Sequence, residues 1–115
     1  MVFTEIRKGP DVGNIATWIK SAEIEAGEQI EAAVVGRHYN RRWDDASTLA
    51  DENVILSRDA ALAKLDEEYD AGFGGADCFP MYAWSPSWVF YVHEYDGATS
   101  LNRLPRNPVA CEPDF

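Results

Sequence analysis

A chain of 115 residues suits one domain around one core, and its 46% hydrophobic and 12% aromatic content is that of a globular protein, not a disordered one. Twenty acids against 10 bases give a net charge of −10, and residues 51 to 96 alone hold 10 of those acids and only 2 of the bases. A field of that sign repels phosphate backbones, which argues against direct nucleic-acid binding and favours a basic protein as partner.

The opening "MVFTEIRKG" has no apolar core behind a basic start, and no stretch approaches the roughly 18 apolar residues of a membrane span. The expectation is a soluble, cytoplasmic protein with no membrane association. Cys78 and Cys111 are too few and too widely spaced for a metal knuckle or a disulfide framework, and are expected to remain thiols.

Alternation of apolar and polar residues predicts a short strand over residues 2 to 6, interrupted by Lys8, Gly9 and Pro10. A helix follows. Val12, Ile15, Ala16, Trp18, Ile19, Ala22 and Ala26 recur at spacings of three and four, so they share one face, and Gly27 supplies a C-terminal stop. The same face makes Trp18 a core residue before it makes it a binding aromatic.

In "EQIEAAVVGRHY" the period changes to two, predicting a strand of about eight residues with Ile30, Ala32 and Val34 on one side. The next segment, with Arg37, Arg41 and Arg42 beside His38, Tyr39 and Trp43, has no clean period and reads as loop. Its arginines are expected to pair internally with Asp44, Asp45 or the acidic helix described next, or to meet an anion or a protein. Base stacking on this patch is opposed by the overall charge.

Ser57 is a good N-cap, with Asp59 in the first turn where the helix dipole favours an anion. The predicted second helix runs from about 58 to 70. On it Ala61, Leu62, Leu65 and Tyr69 share one sector, whereas Asp59, Asp66, Glu67 and Asp70 share another, a solvent-facing acidic stripe. Gly72, Gly74 and Gly75 end it. The segment "DEEYDAGFGGAD" can also be laid on a calcium-loop template through Asp66, Glu68, Asp70 and Asp77. Ala71 stands where that template needs glycine, Asp77 is shorter than the usual bidentate glutamate, and the helical period running through Tyr69 conflicts with a loop. No metal and no cofactor is expected.

The last third reads as an antiparallel meander of three strands, divided by residues 85 to 87 and by Asp96 and Gly97, the latter pair a strong hairpin signal. In the central strand Trp88, Phe90, Val92 and Glu94 face one way and Val89, Tyr91, His93 and Tyr95 the other. Both faces are largely apolar, so the strand is either covered twice or presents aromatics to a partner. Arg103 and Arg106 are expected to tie an irregular tail, residues 105 to 115, to the acidic helix, or to clamp an anion.

These readings converge on one α+β domain spanning residues 1 to 115, with a mainly antiparallel sheet of four to six strands, two helices on one face and a C-terminal meander. No nucleophile elbow, phosphate loop or zinc-protease motif occurs, and no catalytic residue is assigned. The expected function is that of an acidic protein-binding module. Asp59, Asp66, Glu67, Asp70 and Asp77, with Tyr91 and Tyr95, would contact a basic partner and occlude a surface that binds nucleic acid. In size and charge, though in no motif, the chain resembles the small acidic inhibitors of phages and mobile elements, anti-CRISPR proteins among them. Two alternatives stand beside it: a small enzyme or ligand-binding domain using His38, His93 or Glu94, and a homodimeric subunit that buries its aromatic face.

Overall fold

The computed structural model describes residues 12–38, 50–71, 78–95 and 98–113. In chain order its elements are β1 (Val12–Gly13), α1 (Ile15–Ala26), β2 (Ala32–Val35), β3 (Ile55–Leu56), α2 (Arg58–Leu65), β4 (Tyr69–Asp70), β5 (Met81–Trp84), β6 (Trp88–Tyr95) and β7 (Ala98–Pro105). Five strands form an antiparallel sheet in the order β3-β2-β5-β6-β7, and β1 and β4 form a separate two-stranded ladder. The fold is α+β, with the sheet and the terminal meander as expected. The strand predicted over residues 2 to 6 lies outside the described residues.

Helix α1 begins at Asn14, whose side chain accepts a hydrogen bond from the Thr17 N–H at 3.0 Å. It ends at Gly27, which at φ 75° adopts the left-handed conformation and donates to the carbonyls of Glu23 and Ile24. Val12 was expected on the apolar face of this helix; it stands instead in β1, one residue before a close approach. A Cβ on Gly13 would lie 2.6 Å from Trp18 Cζ2, so only glycine lets the ladder pass over the indole.

Helix α2 is capped by Ser57, which accepts from the Ala60 N–H at 3.2 Å, and it stops at Leu65, well short of the predicted end at residue 70. Asp66 takes φ −84° and ψ 77°, and the Glu67 N–H donates to the Leu65 carbonyl at 3.0 Å, an inverse γ-turn that redirects the chain. The helical period did continue into Tyr69, but tertiary pairing wins there. Residues 69 and 70 pair with β1, and the Tyr69 hydroxyl shares a buried hydrogen bond with the Thr99 hydroxyl at 2.9 Å.

The sheet register defines two faces, because directly paired residues point the same way. On the inner side lie Ala33 and Val35 of β2, Met81 and Ala83 of β5 and Phe90 of β6, all buried against Ile15, Ala16 and Ile19 of α1 and Ala61, Leu62 and Leu65 of α2. The small side chains at 33 and 83, fully buried, leave room for the helices above them. Strand β2 is half its predicted length, and Ile30 reaches the core from the segment that leads into it. The tail from Arg106 onward carries no regular element as far as it is described, while Pro105 is the last residue of β7.

Candidate functional site

The outer side of the sheet is the most distinctive surface of the molecule. Parity along each strand places Ile55, Val34, Tyr82, Trp84, Val89, Tyr91 and Leu104 on it, and no described element packs against them. Ile55 is 78% exposed, Tyr82 58% and Leu104 51%, while Val34, Trp84, Val89 and Tyr91 are half-buried. The Tyr82 and Trp84 rings stand 6.3 Å apart at 59°, a tilted pair that stiffens the middle of the face. Toward one end a concavity of about 300 Å³ opens between Val34, Gly36, Asn53, Pro80, Tyr82 and Tyr91. Its described lining is mainly aromatic and aliphatic, with Asn53 among it.

The predicted acidic stripe does not exist as one helical face. Asp59 is in the first turn of α2 and fully open to solvent; Asp66 is the residue that ends the helix, with its carboxylate accepting from Asn14 Nδ2 at 3.0 Å; Asp70 belongs to β4. Glu67 Oε2 lies 3.9 Å from Nε2 of the buried His38. The reason is the early turn at Asp66, which breaks the 100° progression that had aligned these groups. Moreover, α2 lies on the inner layer, so Asp59, Asp66 and Glu67 stand on the opposite side of the sheet from Tyr91. One flat partner cannot touch both sets. Asp77, Arg41 and Arg42 lie outside the described residues, and of Tyr95 the structure gives the pairing with Ala98.

Arg37, Arg103 and Arg106 are each engaged by partners within the molecule. Arg37 Nε donates to Glu52 Oε2 at 3.1 Å. Arg103 lies over the Trp88 ring at 4.3 Å, with Nη1 3.7 Å from Glu25 Oε1. Arg106 Nη1 donates to Glu31 Oε1 at 3.0 Å and to the Ser85 carbonyl at 2.9 Å. The tail is thus fastened to the loops at the ends of β2 and β5 and not to the acidic helix as expected.

The strongest electrostatic feature was not anticipated. Glu23, buried on α1, accepts from Arg58 Nη2 at 2.7 Å, from Arg58 Nε at 2.9 Å and from the Ile30 N–H at 2.9 Å, joining both helices to the start of β2. The two-pronged hydrogen bond from Arg58 holds the Glu23 carboxyl below its ordinary range, and the carboxylate in turn raises Arg58. A sequence signal was present: Glu23 falls on the Ala16, Ile19 and Ala26 face of the helix, where an acid must find a partner. Glu28 is likewise lowered, first by the Ser85 hydroxyl and then by the Ser87 N–H, and so fastens the β5–β6 turn.

The three groups of the enzyme reading lie on two elements, His38 just after β2 and His93 and Glu94 on β6. His38 packs edge-to-face on Phe79 with ring centres 5.0 Å apart, whereas His93 and Glu94 are exposed neighbours on β6 that project to opposite faces. Among the described residues no cluster of three or more histidines, cysteines or acids is arranged to hold a metal ion. Cys78 is buried, Cys111 is exposed, and no disulfide joins them. No helix among the described residues is long and apolar enough to cross a membrane. No known protein family matches the chain, and no characterised protein or solved structure is significantly similar to it.

Proposed function

We propose that this domain is an acidic protein-binding module that docks a basic partner through the outer face of its sheet. The observation that carries the reading is the aromatic and aliphatic surface of exposed Ile55, Tyr82 and Leu104 around half-buried Trp84 and Tyr91, against which no described element packs. Tyrosine and tryptophan contribute large contact areas at small cost in side-chain entropy, and a rigid sheet presents them without reorganisation. The partner's sign follows from charge. At −10 overall, two copies of this chain would meet with strong mutual repulsion, whereas a cationic surface would be drawn in from a distance.

In this reading Asp59, Asp66 and Glu67 act through the long-range field and not by contact, since they occupy the other layer. A cationic surface of the size that the sheet covers is the kind that holds nucleic acid, and its coverage would make the domain an inhibitor of nucleic-acid binding. The test is affinity capture from a cell lysate at low and high salt with three proteins: the native domain, the pair Tyr82→Ser and Tyr91→Ser, and the triple change Asp59→Asn, Asp66→Asn and Glu67→Gln. The native domain should retain a basic protein that nucleic acid competes away. The aromatic variant should lose it, and the triple variant should keep it with a weaker salt response. Identical capture by native and aromatic variants, or a solution mass of two copies with no basic protein retained, would rule the reading out.

A further inference from the structure

A second surface lies along the other edge of the sheet. Strand β7 is an eight-residue edge strand. The Arg106 N–H donates to the Ser87 carbonyl at 2.9 Å, continuing the pairing of even-numbered residues with β6, while the Thr99 N–H donates outward to the Ala71 carbonyl at 2.9 Å. Odd-numbered residues therefore direct their backbone groups away from the sheet. Among them Leu101 and Arg103 make no hydrogen bond to any described residue on that side, and Pro105, lacking an N–H, closes the edge. An edge of this kind is a template for another strand.

Beside the edge runs a groove of about 380 Å³ between α1 and β7, with Trp18, Ala22 and Glu25 on the helix side and Thr99 and Leu101 on the strand side. From Trp18 to Glu25 the helix rises about 10 Å, the length of roughly three residues of extended chain. Among the described residues Glu25 is the only charged one lining the groove; its carboxylate pairs with Arg103 Nη1 at 3.7 Å yet remains 76% exposed, which leaves an open side for a second cation. We infer that this groove receives an extended basic segment of a partner protein, which pairs with Leu101 and Arg103 as an added strand. The partner residue that exchanges hydrogen bonds with Leu101 points to the same side as Leu101, into the space between Trp18 and Ala22, and is apolar there. A lysine or arginine two positions along meets Glu25. The site is separate from the outer face, so either can fail without the other.

The probe is an amidated seven-residue peptide, Thr-Lys-Thr-Val-Thr-Lys-Thr, which sets a lysine two positions either side of a valine on one face of the strand, followed by fluorescence anisotropy at low salt and by amide exchange on the native protein. Saturable binding is expected, with at least tenfold slower exchange at the Leu101 and Arg103 N–H groups when the peptide is present. N-methylation of alternate peptide residues should weaken binding tenfold or more in one frame and leave the other frame unaffected, since only one set of N–H groups faces β7. Replacing lysine by glutamate should also weaken binding tenfold or more. Ala22→Trp, which fills the groove, should abolish it, and Tyr82→Ser should leave it unchanged. Absent binding, equal loss in both N-methylation frames, or amides at 101 and 103 already protected in the protein alone would each overturn the inference. In the last case another part of the chain covers the edge.

Discussion

Replacing Glu23 by glutamine should destabilise the domain by about 2 kcal/mol, and by alanine about 3 kcal/mol. The carboxylate is buried and accepts three hydrogen bonds, two from Arg58 and one from the Ile30 N–H. Removing one member of a buried ion pair costs about 3 to 5 kcal/mol, because its partner is left desolvated and uncompensated. Arg58 is 27% exposed, so water recovers part of that loss and the lower figure applies. Glutamine keeps one carbonyl acceptor, for which about 1 kcal/mol is returned. For a domain of this size the change corresponds to a fall of roughly 8 to 12 °C in Tm. Urea titration at pH 7, followed by tryptophan fluorescence, measures it with the slope held common between variants.

The pH dependence has a definite sign. Because the folded-state pKa of Glu23 is lowered, its contribution is complete above the unfolded glutamate value near ~4.3 and is lost as pH falls through the folded value. The gap between native protein and Glu23→Gln should therefore stay constant from pH 7 down to about pH 5 and then close in acid. A cost below about 0.5 kcal/mol at pH 7 would refute the reasoning, as would a gap that widens in acid.

Gly13→Ala should cost more than the few tenths of a kcal/mol typical of a surface change, about 1 to 3 kcal/mol, since its methyl group would collide with the Trp18 ring; thermal unfolding reads it directly. Asn14→Ala removes both the helix cap and the donor to Asp66, and should lower stability by about 1 to 2 kcal/mol in the same assay. Arg106→Gln should release the tail from Glu31 and Ser85 with little effect on Tm, and should appear as faster proteolysis after residue 105.

The sheet was readable because its signals are local. The meander alternates with period two between turn residues, and Phe90 against Tyr91 already separates an inner from an outer side. The capping of α1 by Gly27 and of α2 by Ser57 was equally legible. The end of α2 was not: Tyr69 sits at a helical spacing from Leu65, and only the long-range pairing with β1 and the hydroxyl contact with Thr99 decide against a helix. That one misreading created the acidic stripe. The site suffered for the same reason, because which layer a residue belongs to is a tertiary fact. Tyr91 was legible as a surface aromatic, but its separation from Asp59 and Asp66 by the thickness of the sheet was not. Tyr82 and Trp84 alternate with Met81 and Ala83 and carried the outer face in plain view; Glu23 announced a buried ion pair by standing among apolar neighbours, yet its partner, 35 positions away, had no local mark.

The outer face can be tested without knowing the partner in advance. A photoreactive phenylalanine analogue placed at position 82, at 104, or at the exposed Ala63 of α2 reports what lies against each surface in a cell lysate. Positions 82 and 104 should form one common adduct with a basic protein, and position 63 should form none. An adduct at 63 alone would contradict the account, as would silence at 82 and 104.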